Sequence, residues 1–230
     1  MYKAIFFDID DTIFNFGRCS HRALKAACTI CKLPYREETF SVFQSIDNQL
    51  WAQQKKGKIS VSDVLKIRAE QITKELGRPE MSREFQSVFS ENLSGQIETE
   101  PFAAEALDSL SQTVKLYAAS NGVLQMQISR LKKVGLLQYF SELFVSDDVG
   151  YEKPDSRFFS ECVRRSGLER KDILMVGDSL TADIAGAKCS QIDCCWYNPK
   201  GQKLPPEYTP DYIVKNLLQI NDILNEKMEK

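Results

Sequence analysis

Short apolar runs of the kind that form central parallel strands recur at residues 3–8, 114–118, 143–146, 173–176 and 193–196, with a shorter one near 212–214. Stretches of helical texture separate them, at 103–110, 123–134, 156–166, 181–188 and 217–228. Gly135 and Gly167 stand where two of these should stop. The interval between the first and second apolar runs is different. Residues 18–31, 36–56, 60–76 and 82–92 read as four consecutive helices with no strand among them, broken at Leu33-Pro34, Lys56-Gly57-Lys58 and Gly77-Arg78-Pro79. Ser60-Val61-Ser62-Asp63 supplies helix N-cap residues, and Ile59, Val64, Ile67 and Ile72 fall near helical spacing. The pattern predicts an α/β fold, a doubly wound parallel sheet formed by residues 1–14 and 97–230 and interrupted by an α-helical unit of residues 15–96. At 230 residues and 43% hydrophobic, the chain is sized for one ample core plus a smaller unit.

Composition narrows the class. Thirty Lys and Arg against 32 Asp and Glu give a formal charge of −2 with no long basic block, so no nucleic-acid partner is expected. No apolar run approaches a membrane span and the first residues lack the texture of a secretory signal, so a cytoplasmic protein without a membrane partner is expected. Seven cysteines, an odd number among apolar neighbours, suit reduced thiols. Cys28 and Cys31 have redox-motif spacing but no preceding strand, and read as packed thiols.

The polar residues that follow the apolar runs carry the chemistry. Asp8, Asp10, Asp11 and Thr12 follow the first, Ser120-Asn121-Gly122 the second, Gly150-Tyr151-Glu152-Lys153-Pro154 the third, and Gly177-Asp178-Ser179 with Asp183 the fourth. In a parallel sheet all four loops lie along one edge, where such folds bind ligands. Several carboxylates gathered there repel one another unless a cation sits among them. Mg²⁺ suits the set, being hard and commonly held by one or two carboxylates together with phosphate oxygens.

In order and placement, Asp8-x-Asp10-x-Thr12, Ser120, Lys153 and Gly177-Asp178-x4-Asp183 resemble the four motifs of the haloacid dehalogenase (HAD) superfamily over essentially the whole chain. The resemblance implies a Rossmann-like core with residues 15–96 as a four-helix cap. It implies Asp8 as the nucleophile that forms an aspartyl-phosphate, and Asp10 as general acid and base. Asp8, the Asp10 backbone carbonyl and Asp178 would hold Mg²⁺, with Asp183 binding it directly or through water. Ser120 and the Asn121 amide, at the start of a helix, are suited to hold phosphoryl oxygens by hydrogen bonds and the helix dipole. Lys153 would neutralise charge on Asp8 and the phosphoryl group. Asp11 reads as a solvated turn residue, Thr12 as a brace for the loop, and His21 as structural. Asp183 has a second reading, as a helix N-terminal charge.

Dehalogenases of the superfamily lack an aspartate two positions after the nucleophile, so Asp10 points to a phosphatase. Phe6-Phe7-Asp8-x-Asp10-x-Thr12-Ile13-Phe14-x-Phe16, Leu50-Trp51, Gly57-Lys58-Ile59, Ser120-Asn121-Gly122 with Gln125 and Arg130-Leu131, and Cys195-Trp196-Tyr197-Asn198 resemble the bacterial pyrimidine 5′-nucleotidases. That resemblance implies a nucleoside monophosphate as the small-molecule partner, and a monomer or homodimer is expected. Ser120 stands where Thr is common, and Tyr151-Glu152 replace smaller residues. Phe14, Phe16 and Trp51 either stack on a base or pack the cap onto the core. The same core would serve a phosphoglycolate or sugar-phosphate phosphatase, or a mutase of the β-phosphoglucomutase type. A silent binding module would be expected to have lost Asp8, Asp10 or Lys153.

Overall fold

In the computed structural model, residues 1–228 are described, and the chain divides into two compact units, residues 1–15 with 98 onward, and Phe16–Ile97. Six strands form one sheet in the first unit: β1 (Ala4–Phe7), β2 (Lys115–Ser120), β3 (Phe140–Val145), β4 (Ile173–Gly177), β5 (Asp193–Tyr197) and β6 (Tyr212–Val214). Their order is β3-β2-β1-β4-β5-β6 and every pairing is parallel. With β2 on one side of β1 and β4 on the other, the strand order reverses at β1. Doubly wound sheets open their ligand crevice at that switch point.

Alternation along each strand builds two cores. Ile5, Phe7, Leu116, Ala118, Leu174 and Val176 face one side, and Ala4, Phe6, Tyr117, Ala119, Ile173 and Met175 the other. This is why these strands read as continuous apolar runs rather than as alternating ones.

The second unit contains four helices, α1 (Phe16–Ile30), α2 (Thr39–Gln54), α3 (Val61–Glu75) and α4 (Ser82–Ser94), with one 3₁₀ turn at Pro79–Met81. Helix α1 buries Cys19, Ala23 and Ala27 on the same stripe as Ser20, Leu24 and Cys28, the four-residue repeat of an inward face. Helix α3 starts at Ser60, whose hydroxyl accepts from the Asp63 N–H while Asp63 accepts from the Ser60 N–H. Inside the unit, Arg68 donates to buried Asp47 at 2.8 Å, its guanidinium lying 5.4 Å from the ring centroid of Phe43 and 4.8 Å from that of Phe89.

The first unit adds helices α5 (Ala103–Ser111), α6 (Leu124–Lys133), α7 (Ser146–Val149), α8 (Ser156–Ser166), α9 (Gly186–Cys189) and α10 (Ile220–Met228). Two differences from the sequence expectation affect the candidate site. Strand β2 runs on to Ser120, so this residue ends a strand rather than opening a loop. The stretch expected as one helix over 181–188 begins as a π-helical turn, Leu180–Ala185, and becomes α-helical only at Gly186. The Ser179 carbonyl accepts from both the Asp183 and the Ile184 N–H, which widens the turn. Apolar periodicity does not register such a local widening.

Candidate active site

Asp8 follows the last residue of β1, with its N–H donated to the Val176 carbonyl of β4 at 2.8 Å. The first of the four motifs is thereby fixed between the ends of its two neighbouring strands. The loop then turns sharply. Asp11 is exposed with φ +60°, a left-handed conformation that aspartate tolerates better than most residues, and Phe14 folds back beneath it, its carbonyl accepting from the Asp11 N–H. Thr12 is buried and its hydroxyl lies 3.4 Å from Asp8 Oδ2.

Lys153 is fully buried, and its ammonium donates to three acceptors at 2.6 Å each: Asp8 Oδ1, Asp183 Oδ1 and the Ala119 carbonyl. Its three donors are used completely. Asp183 places its second oxygen on the Ser179 N–H at 3.0 Å. A Cβ at position 177 would collide with this carboxylate, so glycine is required there by close approach. Asp183 therefore has its carboxylate turned inward to Lys153 and the Asp178–Ser179 loop, and the reading of it as a mere helix-terminal charge does not describe it.

One carboxylate oxygen from each of Asp8, Asp178 and Asp183 lies within 4.8 Å of the others. Three carboxylates against one ammonium leave a formal charge of −2, and the donor set is hard oxygen throughout. A divalent cation of the Mg²⁺ type fits both the charge and the donors. The electrostatics agree. Burial pushes the Asp8 carboxyl up to about 7, with Asp183 and Asp10 adding to the push and Lys153 opposing it. Burial pulls the Lys153 ammonium down, but Asp183 and Asp8 outweigh it and hold the group above its usual range, so it stays charged.

The Asp10 side chain is held apart from this trio. Arg130 Nη1 donates to its Oδ1 at 2.6 Å and Gln127 Nε2 to its Oδ2 at 2.9 Å. Gln127 also reaches the Ser120 hydroxyl at 3.4 Å, joining the loop after β1 to the end of β2. Arg130 lies over the face of Phe14, 4.2 Å from the ring centroid. Phe14 is thus buried under a guanidinium and cannot offer a face to a base, which removes it from the stacking candidates.

Asn121 precedes helix α6. Helix α6 begins at Leu124, three residues later than Asn121, because Val123 is extended. The Leu124 N–H is capped by the Asp147 carboxylate at 3.0 Å, and the Gly122 N–H donates to Ser146 Oγ. The Asn121 side chain donates to the Lys153 carbonyl at 2.8 Å and accepts from the Lys153 N–H at 2.7 Å, a two-point clamp on the backbone of that residue.

Gln127 carries no motif in the sequence, and Arg130 and Trp196 stand there without a site role. The available signal was a pair of polar residues three apart beside Leu131, on the inward stripe of α6. Trp196 donates its indole N–H to the Asp178 carbonyl at 2.8 Å and so steadies the last motif from β5. His21 sits in the helical unit, bonded to Tyr35 and with its ring tilted against Phe40, and all seven cysteines are free, six of them buried. Among the described residues no helix is long and apolar enough to cross a membrane.

Comparison with known proteins accords with this geometry. The family model for haloacid dehalogenase-like hydrolases matches residues 2–191. The chain is 30% identical to the HAD-hydrolase YfnB of Bacillus subtilis (strain 168), over 97% of this chain and 96% of that one. A crystal structure of YfnB bound to magnesium superposes with a TM-score of 0.91, covering 97% of this chain and 99% of the other. Similarity extends to the pyrimidine 5′-nucleotidases PynA of Streptococcus pneumoniae (strain ATCC BAA-255 / R6), 29% identical over 99% and 97% of the two chains, and YjjG of Escherichia coli (strain K12), 28% over 96% of each. L-2-haloacid dehalogenase of Xanthobacter autotrophicus, 17% identical with a TM-score of 0.78, covers 98% of this chain and 99% of its own and shares the fold. The chain belongs to the haloacid dehalogenase-like hydrolase family and, with Asp10 in place, to its phosphatases.

Proposed function

We propose that this chain is a Mg²⁺-dependent phosphomonoesterase that works through a phosphorylated Asp8 and acts on nucleoside 5′-monophosphates, pyrimidine nucleotides foremost. The observation that carries the proposal is the cluster at the switch point, where buried Asp8 and Asp183 meet the Lys153 ammonium beside half-buried Asp178 while Asp10 stands apart on its own donors. The nucleotide preference is supported by the two pyrimidine 5′-nucleotidases among its relatives.

Asp8 attacks phosphorus, and the ester P–O bond breaks as Asp10 gives its proton to the departing oxygen. Asp10, now a carboxylate, takes a proton from water as that water attacks phosphorus, which releases inorganic phosphate and restores the Asp8 carboxylate. Lys153 offsets the charge that Asp8 and the phosphoryl oxygens share, and Ser120 donates to one of those oxygens. Mg²⁺, held by Asp8, Asp178, Asp183 and the Asp10 carbonyl, would neutralise phosphoryl charge when bound. We assign substrate choice to the helical unit, acting as a cap, where the half-buried aromatics Phe16 and Trp51 are the candidates for stacking on a base.

The test is phosphate release from pyrimidine and purine monophosphates, phosphoglycolate and sugar phosphates, with and without Mg²⁺. Preference for pyrimidine monophosphates supports the assignment. Preference for another ester keeps the mechanism and removes the nucleotide claim, and no turnover of any ester contradicts both.

A further inference from the structure

Asp10 has to aim one oxygen at the leaving group and then at a water, and a side chain free to rotate would do neither well. Its two oxygens are claimed by different donors, Oδ1 by Arg130 at 2.6 Å and Oδ2 by Gln127 at 2.9 Å, so the plane of the carboxyl group is fixed. Each donor is itself restrained. The Gln127 amide oxygen accepts from Arg130 Nη1 at 3.2 Å and its nitrogen is shared with Ser120 Oγ, so the amide cannot flip without losing contacts. The Arg130 guanidinium rests on the face of Phe14, a ring contributed by the same loop as Asp10, which pairs with Phe14 across a bridge. Both residues are fully buried, at 2% and 0% exposure, whereas the Asp10 side chain keeps 29%, the face left open to a reactant.

We infer that Gln127 and Arg130 are positioning residues that set the orientation of Asp10 for proton transfer, and that Gln127 ties this orientation to the phosphate-binding hydroxyl of Ser120. The inference rests on the phosphatase mechanism proposed above. In the step concerned, the Asp10 O–H bond breaks and a new O–H bond forms on the departing ester oxygen as its bond to phosphorus cleaves. A misaimed Asp10 therefore penalises esters with a strongly basic leaving group and spares those whose leaving group departs unprotonated.

The experiment measures kcat/KM for a nucleoside monophosphate and for p-nitrophenyl phosphate in the wild type, Gln127→Met, Arg130→Lys, Arg130→Met, Asp10→Asn and the double variant Asp10→Asn/Gln127→Met. Circular dichroism and thermal melts accompany each variant. For Gln127→Met the nucleotide value should fall on the order of 100-fold, the low end of what general acid catalysis contributes, and the p-nitrophenyl value only a few-fold. Arg130→Met should show the same selective loss, with Arg130→Lys partly restoring it. In the Asp10→Asn background Gln127→Met should cost nothing further, because the residue it orients is gone. Equal losses on both esters, or a full loss persisting in the Asp10→Asn background, would overturn the inference while leaving the phosphatase reading intact. A wild type that hydrolyses neither ester overturns both. Should Arg130→Met not fold, Gln127→Met, which removes no charge, carries the test alone.

Discussion

Each of the two units buries a charge cluster, and the two are balanced differently. In the helical unit one Arg68 meets one Asp47, and the rings of Phe43 and Phe89 face the guanidinium from nearby. At the sheet edge, Lys153 faces Asp8 and Asp183 with Asp178 close by, so the negative charge exceeds the positive. The first arrangement is complete by itself and needs no ligand. The second is incomplete, and its surplus of two charges is the electrostatic description of a cation site. The surplus of negative charge, rather than burial alone, sets the sheet-edge cluster apart from the Arg68–Asp47 pair.

The contrast between the two clusters is largest at Asp8. Asp8→Asn should lower phosphate release by more than about 10⁴-fold, since the proposed nucleophile is lost. Its stability should move the other way. The folded-state value of Asp8 is raised from 3.8 to about 7, so the metal-free fold binds this proton more tightly than the unfolded chain does. Wild-type stability in chelator should carry a component that is lost as pH rises from about 4 to about 7. Asp8→Asn lacks that component, so its melting temperature relative to wild type should climb across the same window. A difference that is flat with pH would contradict the assignment.

In the helical unit, Arg68→Met should cost about 3–5 kcal/mol in urea unfolding, because Asp47 is left buried without its partner. Asp47→Leu combined with Arg68→Met should recover most of that loss and keep kcat near wild type. A double variant no more stable than the single one would show that the pair does more than cancel itself. Mg²⁺ at about 100 times its dissociation constant should stabilise the wild type by roughly 2.7 kcal/mol. Asp178→Asn should reduce this gain in differential scanning calorimetry, whereas the Arg68 and Asp47 variants should retain it. The smallest effect concerns the thiols. Only Cys189 is exposed, and burial holds the thiols of Cys162, Cys194 and Cys195 above their usual range. Native protein should react with Ellman's reagent quickly at one thiol and at seven after denaturation.

The sheet was legible because its strands are buried on both faces and end in abrupt polar loops, as at Phe7-Asp8 and Gly177-Asp178. Parallel strands bring those loops to one edge, which is why Asp8, Lys153, Asp178 and Asp183 could be grouped from sequence. What stayed hidden lies in partners distant along the chain. Gln127 and Arg130 gain their meaning from Asp10, 117 and 120 positions away, and the Asn121 side chain from a backbone 32 positions on. The π-helical turn at Leu180–Ala185 was hidden for a different reason, since a Ser179 carbonyl shared by the Asp183 and Ile184 N–H groups alters the backbone without altering the apolar pattern.

The central claim is that the surplus charge serves a phosphoryl group transferred to Asp8. The most direct measurement mixes enzyme, Mg²⁺ and phosphorus-labelled pyrimidine monophosphate, quenches with acid within one turnover, and maps the label by peptide mass spectrometry. Label on Asp8, labile to hydroxylamine and missing from Asp8→Asn, is the expected result. Rapid phosphate release with no label on Asp8 at any quench time, under conditions where Asp10→Asn also traps none, would contradict it.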